Sequence, residues 1–281
     1  MRWQGRRESG NVEDRRGMAG PVAIGGGILG IIALLFNLFL GGDVDVSQLQ
    51  APGGGSAPMS AEAKAREDEL AGFVKVVLAE TEDVWNKVFA ENGSQYREPT
   101  LVLFSGAVQS ACGSASAASG PFYCPGDQKL YIDLSFYDEL SQRFGAPGDF
   151  AMAYVVSHEV GHHIQTLLGT TQKLAQIRQQ VSQEEYNKYS VMLELQADFL
   201  AGVWAHHTAN KNLLDANDIE EAMRAANAIG DDRLQKQAQG YTVPESFTHG
   251  TSEQRMYWFK RGYESGDLRQ GDTFNDVKGE R

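Results

Sequence analysis

His158 and His162 flank Glu159 in the pattern HExxH. On a helix, residues four apart share a face, so both imidazoles can reach one ion. Paired imidazoles of this kind suit Zn2+. Zinc lowers the pKa of a bound water to about 7, and Glu159, beside the ligands, takes that water's proton. Zinc sites that do chemistry have three protein ligands and an open position, so a third must be found. The longer HExxHxxGxxH pattern fails, because Gln165 stands at the glycine and Leu168 at the third histidine. A glutamate on a second helix is the other source. Glu194, in Glu194-Leu195-Gln196-Ala197-Asp198, lies 32 residues beyond His162. Asp198 shares its face and accepts a hydrogen bond from the outer nitrogen of a ligand histidine, His158 in the first place. The competing reading, a solvated helix face, sits poorly with Val191, Met192, Phe199, Leu200, Val203 and Trp204 around the two carboxylates.

The other histidines divide. His163 lies about 100° round the helix from His162 and reads as structural. His206 and His207 fall near a helix C-terminus, where imidazolium is favoured, and read as caps. His249 precedes the last helical stretch. It is either a plain loop residue or a catalytic group that stabilises the oxyanion of a tetrahedral intermediate.

The elements that must position these residues follow from periodicity. Ser60 caps a helix to about Glu91, with Phe73, Val77, Val84, Val88 and Phe89 at helical spacing. Residues 100–104 and 129–134 read as strands, with a Gly/Ala/Ser loop at 105–120. Helices are expected over 150–168, 184–207 and 218–229, and the polar tail from Gly266 reads as frayed. The class is therefore α+β, mostly helical with a small sheet.

Residues 22–40 are a 19-residue run without a charge. A helix of that length spans close to 28 Å, matching a hydrocarbon core of about 30 Å. No small-x-small cleavage site follows, so the run reads as an uncleaved transmembrane anchor. Arg2, Arg6, Arg7, Arg15 and Arg16 precede it; Asp43 and Asp45 follow it. The positive-inside rule then makes 1–21 a cytoplasmic arm and places the rest of the chain outside. Gly26 and Gly30 have the GxxxG spacing of helix pairing, so a homo-oligomer is possible. Residues 41–60 read as a flexible linker and 61–281 as the folded domain. The net charge of −12 falls wholly on 61–281, which argues against nucleic acid as a partner. Outside the cytoplasm, Cys112 and Cys124 are expected to form a disulfide; two buried thiols are the alternative, and zinc ligation lacks the CxxC spacing.

The blocks SHEVGHHIQ at 157–165, GPFYCPGDQKLYIDLSFYDEL at 120–140, ELQADFLAGVW at 194–204, IGDDRLQ at 229–235 and FTHGTSEQR at 247–255 occur in one order over nearly the whole chain. In this the sequence resembles the bacterial YpfJ-like family of neutral zinc metallopeptidases. The resemblance implies a zincin-like fold and the gluzincin arrangement: His158, His162 and Glu194 as zinc ligands, Glu159 as base, and Asp198 as the supporting acid. His249 to Arg255 is similar to the His-Pro-x-x-x-x-Arg block of membrane-linked zinc peptidases, with Gly250 in the proline's place. The implied protein is a single-pass zinc metallopeptidase of the bacterial inner membrane, its catalytic domain periplasmic or extracellular, acting on peptides or proteins aligned along strand 129–134. The alternative is an inactive or latent zinc-binding envelope adaptor or chaperone on the same scaffold.

Overall fold

The computed structural model describes residues 1–17, 60–209 and 211–275. Both the expected anchor at 22–40 and nearly all of the expected linker at 41–60 lie outside those residues. Among the described residues no helix is long and apolar enough to cross a membrane.

A four-stranded sheet has the order β1 (Val12–Asp14), β2 (Thr100–Phe104), β6 (Lys129–Asp133), β5 (Phe122–Cys124). The first three strands run parallel, and β5 is antiparallel to β6. A separate hairpin, β3 (Ala107–Ser110) and β4 (Gly113–Ser116), occupies the segment expected to be a loop. Its small residues show no alternation, and its ladder is a matter of backbone pairing. Cys112, at its turn, is bonded to Cys124 of β5, as expected.

Seven longer helices follow among the described residues, besides short helical turns such as Phe136–Asp138: α1 (Ala61–Glu91), α2 (Asp149–Leu167), α3 (Thr170–Arg178), α4 (Gln183–Ala209), α5 (Asp218–Ala228), α6 (Asp231–Gln239) and α7 (Ser252–Ser265). The Ser60 hydroxyl accepts from the Ala63 amide and caps α1. Helix α2 is apolar nearly all round and is buried between the sheet, α1, α4 and α5. Phe150 stacks on Trp204 of α4, with centroids 5.7 Å apart. Helices α4 and α7 approach backbone to backbone. A Cβ on Gly202 would lie 2.0 Å from the Phe259 carbonyl, and one on Gly262 would lie 2.1 Å from that of Phe199.

Two expectations need correction. The tail past Gly266 is not frayed at its start: Thr273 Oγ1 donates to the Met192 carbonyl at 2.6 Å, and Gln196 reaches the Gly271 carbonyl at 3.1 Å. The domain also does not begin at 61. Residues 1–17 belong to it, because β1 is the edge strand beside β2, with Val12 opposite Leu101. Trp3 packs edge-on against Phe73, and the Ser9 amide donates to the Lys75 carbonyl at 3.1 Å. Arg6 pairs with Glu80 at 3.0 Å and Arg7 with Glu82 at 2.9 Å, which gives partners to carboxylates that α1 alone would leave unmatched.

Candidate metal centre

Helix α2 presents His158 and His162 one turn apart, their rings 4.8 Å between centroids and nearly perpendicular. Helix α4 crosses them and places Glu194 opposite. Its Oε2 lies 3.1 Å from His158 Nε2, and its Oε1 lies 3.4 Å from His162 Nε2. One donor atom from each of the three residues falls within 4.8 Å of the others. Ligands about 2.0–2.1 Å from a tetrahedral zinc are separated by about 3.3 Å, so the set fits that ion in chemistry and spacing.

The outer ring nitrogens fix which atoms face the site. His158 Nδ1 is 2.8 Å from Asp198 Oδ1, as the i+4 spacing of Asp198 predicted. His162 Nδ1 is 2.9 Å from Gln165 Oε1, while the Gln165 amide donates to the Leu193 carbonyl at 2.7 Å. That amide must therefore present its oxygen to His162, which makes Nδ1 the protonated nitrogen and leaves Nε2 for an ion.

Asp198 is fully buried and saturated. Arg255 of α7 grips it through Nε at 2.8 Å and Nη2 at 3.0 Å, and the Tyr154 hydroxyl donates to it as well. Burial opposes ionisation of Asp198, but Arg255 and His158 outweigh that and hold its pKa at about 2. Burial also opposes charge on His158, yet Asp198 and Glu194 lift it to about 10. Glu194 is held well below the usual carboxylate range by the two histidines against the same burial. Protons on the histidines thus balance the two carboxylates, and a cation held by the Nε2 atoms would take the place of those protons.

Glu159 differs from its neighbours. It is buried, and burial raises its pKa, although His162, His158 and the Tyr123 backbone amide partly offset the rise. A raised carboxylate beside a cation site is suited to receive and return a proton. His163 points away from the cluster, to the Arg97 carbonyl at 2.6 Å and the Tyr123 hydroxyl at 3.1 Å, and burial lowers its pKa. It therefore ties α2 to β5. His206 lies in the last turn of α4, as expected, but its Nδ1 donates to the Tyr263 carbonyl in the last turn of α7 at 2.8 Å and so links the two helices.

His249 reaches the rim. Its Nδ1 is 3.3 Å from Asp231 Oδ1, and its charge acts on Glu194. Asp231 also accepts the backbone amides of Thr248, His249 and Gly250, so the loop is clamped. Gly250 has φ +88°, which proline cannot adopt, so a proline is incompatible with this turn. Sequence reasoning missed the roles of Gln165, Tyr154 and Asp231. It quoted Arg255 only inside a motif. The i+3 spacing of Gln165 from His162 was the one local signal among them.

The family model described as "Putative neutral zinc metallopeptidase" matches residues 1–274, the arm included. The uncharacterized protein YpfJ of Escherichia coli (strain K12) is 50% identical over 287 residues, covering 98% of this chain and 99% of that protein. An uncharacterized protein of Mycobacterium tuberculosis (strain CDC 1551 / Oshkosh) is 44% identical over 191 residues, 64% of each chain. No solved structure is a significant match. A histidine pair and a glutamate at zinc spacing, on a chain matched almost end to end, lead to one conclusion: this chain belongs to the neutral zinc metallopeptidase family.

Proposed function

We propose that the chain is a membrane-tethered, zinc-dependent endopeptidase, with His158, His162 and Glu194 holding the ion and Glu159 as general base. The position of Glu159 carries the reading. It is buried beside the ligand cluster, takes no part in orienting a ligand, and has a carboxyl shifted toward the protonated form. Zinc in such a site supplies a Lewis acid that makes a water acidic enough to deprotonate near neutrality. Glu159 accepts that water's proton. A C–O bond forms at the scissile carbonyl, and Glu159 then returns the proton to the amine nitrogen as the C–N bond breaks. His249, held by Asp231, is placed to donate a hydrogen bond to the developing oxyanion.

Substrate alignment on strand 129–134 is corrected by the topology. Strand β6 lies between β2 and β5, so neither of its edges is open. The open edge near α2 is β5, whose Tyr123 amide faces Glu159. An extended peptide adding to β5 would bring its carbonyl to the base. The Cys112–Cys124 bond supports a site outside the cytoplasm.

The test uses the purified full chain in detergent with a mixed peptide library. Wild type should cleave and lose activity to a chelator. Glu159→Gln should keep one zinc per chain and lose about 10²–10⁴-fold in kcat. A zinc-loaded wild type that cleaves nothing in the library would overturn the reading.

A further inference from the structure

The arm at residues 1–17 and the body at 60–274 flank an apolar run long enough to enter a bilayer. The run's preceding arginines would normally hold the arm in the cytoplasm. In the structure those arginines are engaged elsewhere. Arg2 pairs with Asp215 at 2.8 Å, Arg6 with Glu80 at 3.0 Å, Arg7 with Glu82 at 2.9 Å and Arg16 with Asp68 at 3.1 Å. Arg15 pairs with Glu13 of β1. Four of the five therefore read carboxylates far along the chain, on α1 and at 215.

The backbone contacts are of the same kind. The Leu101 amide donates to the Asn11 carbonyl at 2.9 Å, and the Arg15 amide to the Leu103 carbonyl at 2.8 Å. These are ladder bonds of a sheet and need strand separations near 4.8 Å. A hydrocarbon layer of about 30 Å between arm and body would break all of them. It would also expose the β2 edge as an unpaired template. The two flanks meet at one place: Arg16 reaches the Glu67 carbonyl at 3.2 Å, within two turns of the Ser60 cap.

We infer that residues 1–17 and the body at 60–275 lie on the same side of the membrane, so that the charges before the run serve the fold and do not set arm and body on opposite sides. The chain between Gly17 and Ser60 starts and ends on that side. The inference is independent of whether the site cleaves peptides.

The experiment is thiol accessibility on the full chain in bacterial membranes. Each cysteine is introduced with Cys112→Ser and Cys124→Ser, so it is the only thiol on either side of the membrane. Gln4→Cys reports the arm and Ser94→Cys reports the body, and both positions are exposed. Glu8→Cys, also exposed, repeats the arm measurement should Gln4→Cys fail to accumulate. Spheroplasts, intact or lysed, are treated with a membrane-impermeant maleimide. Arm and body should label alike, both before lysis or both only after it. Labelling of one before lysis and of the other only after it would overturn the inference.

Discussion

Orientation of His158 and His162 rests on residues outside the cluster of candidate ligands. Asp198→Asn removes the charge that fixes His158, and Gln165→Leu removes the acceptor for His162. Each should weaken zinc binding by about 10–100-fold, read by competition with a chromophoric chelator. Asp198 also sets an acid limit. Its folded pKa is about 2, against 3.8 for the free side chain. A depressed carboxylate contributes stability above its unfolded pKa and loses it as pH falls through the folded value. That contribution is roughly 2 kcal/mol at neutral pH, lost between about pH 4 and 2. Denaturant unfolding of the metal-free protein should show wild type and Asp198→Asn converging over that window. The clustering of His158, His162, Glu194 and Asp198 was legible in the sequence because a helix turns i and i+4 to one side. Tyr154 and Arg255 were not, because their link to Asp198 spans three elements that only the fold brings together.

Helix packing is set by two glycines rather than by apolar stripes. Gly202→Ala or Gly262→Ala pushes a methyl into a facing carbonyl, and neither backbone can retreat without parting α4 from α7. The gain of about 1 kcal/mol in helix propensity is smaller than an overpacking cost of about 3 kcal/mol or more. Gly72→Ala on α1 is the control, because its Cβ would meet only a side-chain oxygen at 3.7 Å. Thermal unfolding should move down for the first two and stay level or rise for the third. The long helices were readable from periodicity to within two residues. The hairpin at 107–116 and strand β1 were not. One is built of Gly, Ala and Ser, and the other is the polar triplet Val12-Glu13-Asp14, where no side-chain pattern announces a strand.

The whole molecule closes only when the arm is present. A chain reduced to 61–281 lacks β1, the Trp3 contact, the Arg7 partner of Glu82 and one of the two cations on Glu80, which keeps Lys211. It should be less stable by about 3 kcal/mol or more, a fall of roughly 6–12 °C in Tm. Replacing residues 18–59 with roughly ten Gly/Ser residues, which reach about 33 Å, should restore the Tm and leave one zinc per chain. Equal stability of the two shortened chains would show that the arm is dispensable. Strand β1 has a consequence for the order of events during synthesis. It leaves the ribosome about 90 residues before β2, a wait of roughly 5–20 s, and Arg2 waits longer still for Asp215. Throughout that interval the arm is an unpaired strand whose Arg2, Arg6 and Arg7 lack their distant carboxylate partners, next to an apolar run already recognisable to insertion machinery. Delayed or misdirected handling of the nascent chain would strand the arm before its partner exists, so the yield of folded protein is limited by the timing of that handling as well as by stability.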